Sequence, residues 1–322
     1  MDRKEEILSK ISSIPSMPPA ATEVAHLLQD AESSIKEIVR AIEYDPGLAS
    51  NILRMANSAY YGYTESVCSI RDAIVRLGTN CIFQMVVTWA ISPLTQRNVP
   101  GYGLSSGQLW EHSIAVAVGA EQLAWELNLK SAAHVFTAGL LHDIGKVVLG
   151  KFVEVDISDI MEVVSQKKVS FEVAEQQVLG IDHAEIGAIL LETWNLPPSV
   201  SEVSRWHHQP EWTSGEMPAV DLVHVADTMC LMGGIGTGID GAYYHTSADV
   251  ASRLHLTTFI TDKIISEILG KLNEVRDLFS RNGGRREKRS QVSPLPQCAT
   301  AAPPLRSKQY AQKRAQTVRK KE

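Results

Sequence analysis

Ala138-Gly-Leu-Leu-His-Asp-Ile-Gly-Lys146 is the stretch on which the reading of this chain turns. At its centre is the adjacent pair His142-Asp143, followed by Gly145 and Lys146. The residues leading into it, Val135-Phe136-Thr137-Ala138-Gly139-Leu140-Leu141, are apolar almost throughout. A surface helix would show one polar face, so this run predicts a buried helix. An ionisable pair at the end of such a helix is costly unless it is paired or bound to a metal. The pair therefore calls for partners elsewhere in the chain.

At 322 residues the chain has room for roughly two domains and a sizeable core. Hydrophobic residues make up 44% and charged residues 21%, which places it among soluble globular proteins. No apolar run approaches the ~18 residues of a membrane span. The charged start, Met1-Asp2-Arg3-Lys4-Glu5-Glu6, lacks the apolar core of a signal peptide. The four cysteines, Cys68, Cys81, Cys230 and Cys298, are far apart and form no CxxC pair. They argue for a reducing cytoplasm and against a cysteine zinc site or a disulfide framework. The net charge of −6 hides an asymmetry: residues 283–322 hold 11 Lys or Arg against 2 acids, and the remainder holds 20 basic against 35 acidic residues. So acidic a body is a poor match for a nucleic-acid backbone. The basic tail, with Pro294, Pro296, Pro303 and Pro304, can bind polyanions and is expected to be disordered.

Along the chain, the punctuation is helical. Pro18-Pro19 precede a helix over Ala20–Asp30. Ser34-x-x-Glu37 fits a capping box for the next. Asp45-Pro46 supplies an N-cap and a first helical residue for a helix ending near Asn57. Ser69-x-x-Asp72 opens a helix expected to stop near Gly78, and an apolar helix follows over Cys81–Ile91. A polar linker, Thr95–Ser106, separates this part from a long helix over Gly107–Leu127. After the Val135 run, helices are expected over Ile157–Gln166, over Phe171–Leu179 with Ser170 as its cap, and from His183 with Asp182 as its cap. Pro197-Pro198 start another that ends at Trp206-His207-His208, and Ala219–Met232 and Thr258–Ser280 complete the set. Gly233-Gly234-Ile235-Gly236-Thr237-Gly238 has no preceding strand and no Gly-Lys-Ser/Thr, so it reads as a flexible loop and not a phosphate loop. No sheet is expected.

Seven ionisable residues fall on or beside these apolar helices: His112, His142, Asp143, His183, His207, His208 and Asp227. Imidazole nitrogen with carboxylate oxygen suits Fe, Mn, Ni or Zn better than calcium. Taken singly, each histidine reads more readily as a hydrogen-bonded core or rim residue, and Asp143 as a cap or a partner of Lys146; it is the set that points to a metal. His26, His134, His245 and His255 fall outside the pattern and read as structural. His224 lies three residues before Asp227, on the same helical face, where it can hydrogen-bond Asp227 without being a ligand itself.

The His-Asp stretch resembles the HD superfamily of metal-dependent phosphohydrolases. A more specific resemblance is carried by Asp45-Pro46-Gly47-Leu48, by Ile52-Leu53-Arg54-Met55-Ala56-Asn57-Ser58-Ala59-Tyr60-Tyr61-Gly62 and by Ser69-Ile70-Arg71-Asp72-Ala73-Ile74-x-x-Leu77-Gly78. With Ile14-Pro15 as its entry, this pattern is similar to the HDOD family, the HD-related output domains of bacterial signalling proteins, over about residues 11–211. Asn57-Ser58 within it reads as a helix end and turn. The resemblance implies an all-α fold: an N-terminal helical bundle over 1–94 packed on an HD-like helical core over 105–232, then a helical extension over 242–281 and the basic tail over 282–322. The order His112, His142-Asp143, Asp227 resembles the HD ligand order. His183, His207 and His208 resemble the additional histidines that complete a two-metal site in the HD-GYP relatives. One or two divalent transition-metal ions are thus implied, with Asp143 and Lys146 as the catalytic pair if the protein is active, and Lys146 contacting a phosphate.

Departures from those relatives are plain. The double histidine is followed by Gln209-Pro210-Glu211-Trp212, without the Gly-Tyr-Pro loop, which speaks against hydrolysis of cyclic di-GMP. HDOD members in general have lost parts of the ligand set, whereas this chain keeps more of it than that picture requires and so sits between the two groups. Three functions stay open: a cytoplasmic signalling module that works through a protein partner or a nucleotide or phosphate-ester ligand, with a retained metal; an active metal-dependent phosphohydrolase; and a metal-free interaction scaffold. No receiver, kinase, helix-turn-helix or GGDEF-like segment is visible, so input is expected from elsewhere.

Overall fold

Capping chemistry sets the first helices. The computed structural model describes residues 3–280 apart from 13, 31, 62–65, 130–133 and 214–216. Helix α1 spans Arg3–Ile11 and α2 spans Pro19–Gln29. Helix α3, Ile35–Tyr44, starts with the expected capping box between Ser34 and Glu37. Helix α4, Pro46–Ala56, starts at Asp45, whose Oδ1 accepts from the Gly47 and Leu48 N–H groups at 2.8 and 3.0 Å. Asn57 then closes a bracket: its amide donates to the Leu53 and Val67 carbonyls and accepts from the Val67 N–H at 2.7 Å. That is the structural role its position suggested.

Helix α5, Ile70–Thr95, consists of two helical pieces joined across a kink, as expected: at Gly78 the backbone leaves helical geometry, with φ of 81° and ψ of 164°. By length and composition α5 could cross a membrane, a property the run-by-run reading missed because Gln84, Thr88 and Ser92 interrupt its apolar residues. Here its Ile82, Met85, Val86 and Ile91 are buried, and it packs against α2, α3 and α4.

The segment expected to be a polar linker is structured. Val99 and Leu104 form an isolated bridge around a 3-10 turn, Pro100–Tyr102, and the Tyr102 side chain is fully buried. The second half comprises α6 (Gln108–Glu126), α7 (Val135–Leu141), α8 (Gly145–Lys167), α9 (Phe171–Leu179), α10 (His183–Thr193), α11 (Pro198–Trp206), α12 (Pro218–Met232), α13 (Ala248–Arg253) and α14 (Thr258–Ser280). Helix α8 is twice as long as the piece expected, since it begins right behind the His-Asp pair. Ser170 stands at the N-cap of α9 as expected, but its hydroxyl donates to the Glu172 carboxylate at 2.6 Å and makes no cap bond to the helix N–H groups. Asp182 does cap α10, accepting from Glu185 N–H at 2.8 Å.

Among the described residues there is no strand, and the fold is all-α. Helix α6 is the hub, packed against α7, α12 and α14. Helix α14 buries Ile264, Ile268 and Leu272 against this hub and also touches the 3-10 turn Ala59–Tyr61 of the first half. Truncating one such buried aliphatic residue to Ala costs about 2–5 kcal/mol. The basic tail, 282–322, lies outside the described residues. Cys68 and Cys230 are free thiols.

Candidate metal centre

Each of the seven residues is delivered by the end or the inner face of a helix. His112 projects from α6, His142 and Asp143 sit in the turn between α7 and α8, and His183 is the first residue of α10. His207 and His208 follow the last turn of α11, and Asp227 lies on α12. Backbone contact makes the meeting geometrically possible. A Cβ at Gly145 would stand 1.9 Å from the His183 carbonyl oxygen, so only glycine lets the start of α8 press against the start of α10. The Ser204 hydroxyl, donating to the His142 carbonyl at 2.9 Å, ties α11 to the same turn.

The structure brings all seven together as two adjoining groups. One is Asp143, His183, His207 and His208; the other is His112, His142 and Asp227. Within each, one ligand atom per residue lies within 4.8 Å of every other. Asp143 stands between them. Its Oδ2 is 3.4 Å from His142 Nε2 and 3.6 Å from His112 Nε2, while its Oδ1 is 3.5 Å from His183 Nε2 and 3.7 Å from His207 Nε2. Asp227 Oδ1 lies 3.0 Å from His112 Nε2 and 3.7 Å from His142 Nε2.

Hydrogen bonding settles which ring nitrogens face inward. The Nδ1 atoms of His112, His142 and His207 meet the carbonyls of Ile235, Gly139 and Ser204 at 2.9, 2.7 and 2.7 Å. A carbonyl only accepts, so each Nδ1 carries the proton and donates. His183 Nδ1 likewise donates to Glu175 Oε2 at 2.7 Å. That leaves Nε2 of His112, His142 and His207, with Asp143 Oδ1 and Asp227 Oδ1, buried and facing one another without an assigned hydrogen bond. Buried polar atoms are rarely left so, and here they converge. Donors held about 2.0–2.2 Å from one ion stand about 3–4 Å apart, which is the spacing seen, and histidines fixed through Nδ1 are the usual arrangement at metal sites. The residues present therefore fit a divalent transition metal.

Electrostatics agree with the donor chemistry. Burial pushes both aspartates up, but Lys146 and His142 around Asp143, and His112 and His142 around Asp227, hold both carboxyls well below the usual range. Burial lowers the His142 pKa, yet Asp143 and Asp227 outweigh it and carry it up to about 10. His183 likewise overcomes its burial through Glu175 and rises to about 9. Burial and the neighbouring imidazoles hold His207 down, to about 4, and His208 well below its ordinary value. His208 differs from the rest in a second way: its ring stacks on Tyr244, centroids 4.0 Å apart, and its Nε2 faces His183 Nε2 at 2.9 Å.

Several participants escaped the sequence reading. Glu175 on α9 is fully buried and accepts from the His183 backbone N–H at 3.0 Å, from His183 Nδ1 and from the Tyr102 hydroxyl. Asp240 pairs with Lys146 at 2.7 Å, and the same ammonium lies 2.7 Å from Asp143 Oδ2. Lys146 is thus buried between two carboxylates. His224 does not touch Asp227 as expected. Its Nδ1 donates to the His207 carbonyl at 2.7 Å and its Nε2 accepts from the Ser247 N–H at 2.8 Å, so both nitrogens are used outside the centre. The glycine-rich stretch after α12, expected to be a flexible loop, is a strap over the site. It presents the Ile235 carbonyl to His112, and at Gly236, with φ of 62°, a Cβ would fall 2.5 Å from His112 Cβ. Glu175 was marked only by being an acid on a short apolar helix, and Asp240 by nothing in the local pattern.

Known proteins share this architecture. A protein of Treponema pallidum (strain Nichols), described as uncharacterized, is 26% identical over 223 residues, covering 69% of this chain; the chain spans 43% of that protein's length. Among solved structures, an HDOD domain protein of unknown function from Geobacter sulfurreducens is 28% identical, with a TM-score of 0.62 over 86% of this chain and 93% of that one. A candidate signal transduction protein from Marinobacter aquaeolei VT8 (21% identity, TM-score 0.64, 87% of this chain and 62% of that one) shares the fold. So does a candidate metal-dependent phosphohydrolase from Shewanella amazonensis SB2B (18% identity, TM-score 0.56, 87% of this chain and all of that one). The HDOD domain family matches residues 14–210, well over half of the sequence and the very stretch whose helices deliver six of the seven clustered residues, and the chain belongs to that family.

Proposed function

We propose that this protein is a cytoplasmic regulatory HDOD module that keeps a resident pair of divalent transition-metal ions, of the Fe, Mn, Ni or Zn class, and acts through a protein partner or a phosphate-bearing ligand such as a nucleotide. The observation that carries the reading is the convergence of five buried ligand atoms with no assigned hydrogen bond, on His112, His142, His207, Asp143 and Asp227, with the opposite ring nitrogens already tied to carbonyls. In the reading, His112, His142 and Asp227 hold one ion, His183, His207 and His208 hold the other, and Asp143 spans the two. Such ions supply Lewis acidity and a bound water of lowered pKa. Regulation is favoured over turnover because Lys146 is already neutralised by Asp143 and Asp240, so its ammonium is not free to meet a phosphate.

The second reading is an active phosphohydrolase, favoured by the full donor set that this chain retains. One experiment separates these and the metal-free scaffold. Metal content is measured by plasma mass spectrometry on protein expressed in metal-supplemented medium, and the same sample is assayed on a generic phosphodiester. Bound metal without turnover is the expected result. Turnover moves the assignment to the hydrolase, and near-absence of metal overturns both.

A further inference from the structure

Beside the metal centre, and sharing the His208 side chain with it, lies a cavity of about 340 Å³. Its walls include Glu172, Glu211, Trp212, Tyr243, Tyr244 and His208. None of the described residues lining it is a lysine or arginine. Arg253 feels the charge of Glu211 but is committed to Asp221, which it holds through two hydrogen bonds of 3.1 and 2.7 Å. Glu172 is the unusual member. It is 4% exposed, its Oε1 accepts from Ser170, and its Oε2 is buried with no partner at all. A buried carboxylate oxygen without a donor is costly and calls for a cation or an N–H group.

The surroundings say what kind of donor fits. Tyr244 and His208 form a stacked pair on one side, and Trp212, tilted against Trp206 with centroids 6.3 Å apart, stands at the mouth. Aromatic faces attract cations and repel anions. An anion would meet the carboxyl groups of Glu172 and Glu211 and no lysine or arginine among the described lining residues.

We infer that this cavity is a binding site for a small organic cation, an ammonium or guanidinium group that donates N–H to Glu172 Oε2 and rests against the aromatic side chains. The inference shares the His208 wall with the metal reading, but Glu172 and Trp212, on which it is tested, lie outside the metal cluster.

The test uses the full chain and two probes of equal shape, n-butylammonium and n-butanol, titrated calorimetrically while the Trp212 indole signal is followed by NMR. Butylammonium should bind saturably and at least ~10-fold more tightly than butanol, as expected when a desolvated charge–carboxylate contact adds to aromatic contact. Glu172→Gln, which keeps the shape and removes the charge, should weaken butylammonium ~10-fold with helical circular dichroism unchanged. Trp212→Ala, at an exposed position, should weaken it a few-fold without affecting folding. Equal affinity for the two probes, undiminished binding to Glu172→Gln, or no saturable butylammonium binding overturns the proposal.

Discussion

His183 and Glu175 form a fully buried pair, Nδ1 to Oε2 at 2.7 Å, and Glu175 also accepts from the His183 backbone N–H at 3.0 Å. Ring and backbone are thus fixed by one carboxylate, which aims Nε2 into the cluster. Glu175→Gln keeps the volume and removes the charge. Metal affinity should fall about 10–100-fold, the usual effect of losing such an outer partner. The raised pKa of His183 should fall with it. Competition titration against a chromophoric chelator reads the first and histidine NMR the second; unchanged affinity would show that the pair only packs.

Asp143 belongs to the group of His183, His207 and His208, and its Oδ2 also faces His112 and His142 of the other. Asp143→Ala should reduce bound metal to near zero across the whole site, while Asp227→Ala should spare the ion held by His183, His207 and His208. Helicity should stay nearly intact in both, since neither residue caps a helix. Metal analysis alongside far-ultraviolet circular dichroism checks this. Loss of helical signal in Asp143→Ala would mean that the aspartate serves the fold.

Lys146 and Asp240 meet at 2.7 Å with both side chains buried. Removing one partner of a buried pair typically costs about 3–5 kcal/mol. Asp240→Asn should therefore destabilise strongly in urea unfolding. Glu126→Ala, which breaks the partly exposed pair with Lys263, should stay within about 1 kcal/mol. Comparable losses for the two would refute a special role for the strap.

The metal-free protein should show a stability window in pH. The pKa values of His142 and His183, about 10 and 9, lie above the ordinary 6.5. Their contribution is complete below about 6.5 and fades as pH rises through 9 and 10. His207, held near 4, works in the opposite sense: its contribution is present above 6.5 and is lost as pH falls toward 4. A metal needs both raised imidazoles without their inward protons, so binding near pH 7.5 should release roughly two protons. Calorimetry in buffers of different ionisation enthalpy counts them, and a count of zero would contradict the protonation states described.

The clustered residues were legible in the sequence because they fall on or beside apolar helical patterns, and patterns of that kind survive without tertiary information. The caps at Ser34, Asp45 and Asp182 were legible because they depend on residues three or fewer positions away. Glu175 and Asp240 were not, because what distinguishes them is a partner brought near only by folding. Helix α8 was read too short because its first turn, Gly145-Lys146, looks like loop until Gly145 is seen against His183. The strap was misread for a related reason: glycines that signal freedom in isolation signal close approach when His112 lies beneath them.

The family match stops at residue 210, yet Asp227 and the strap carrying Asp240 lie beyond it. The portable unit of this protein is accordingly longer than the unit by which its family is recognised. A chimera built by grafting only the matched stretch would inherit every clustered histidine together with Asp143, but neither Asp227 nor the counter-charge that Asp240 gives Lys146. Swapping experiments should therefore take their downstream seam after Ser247, where the His224 contact closes the strap.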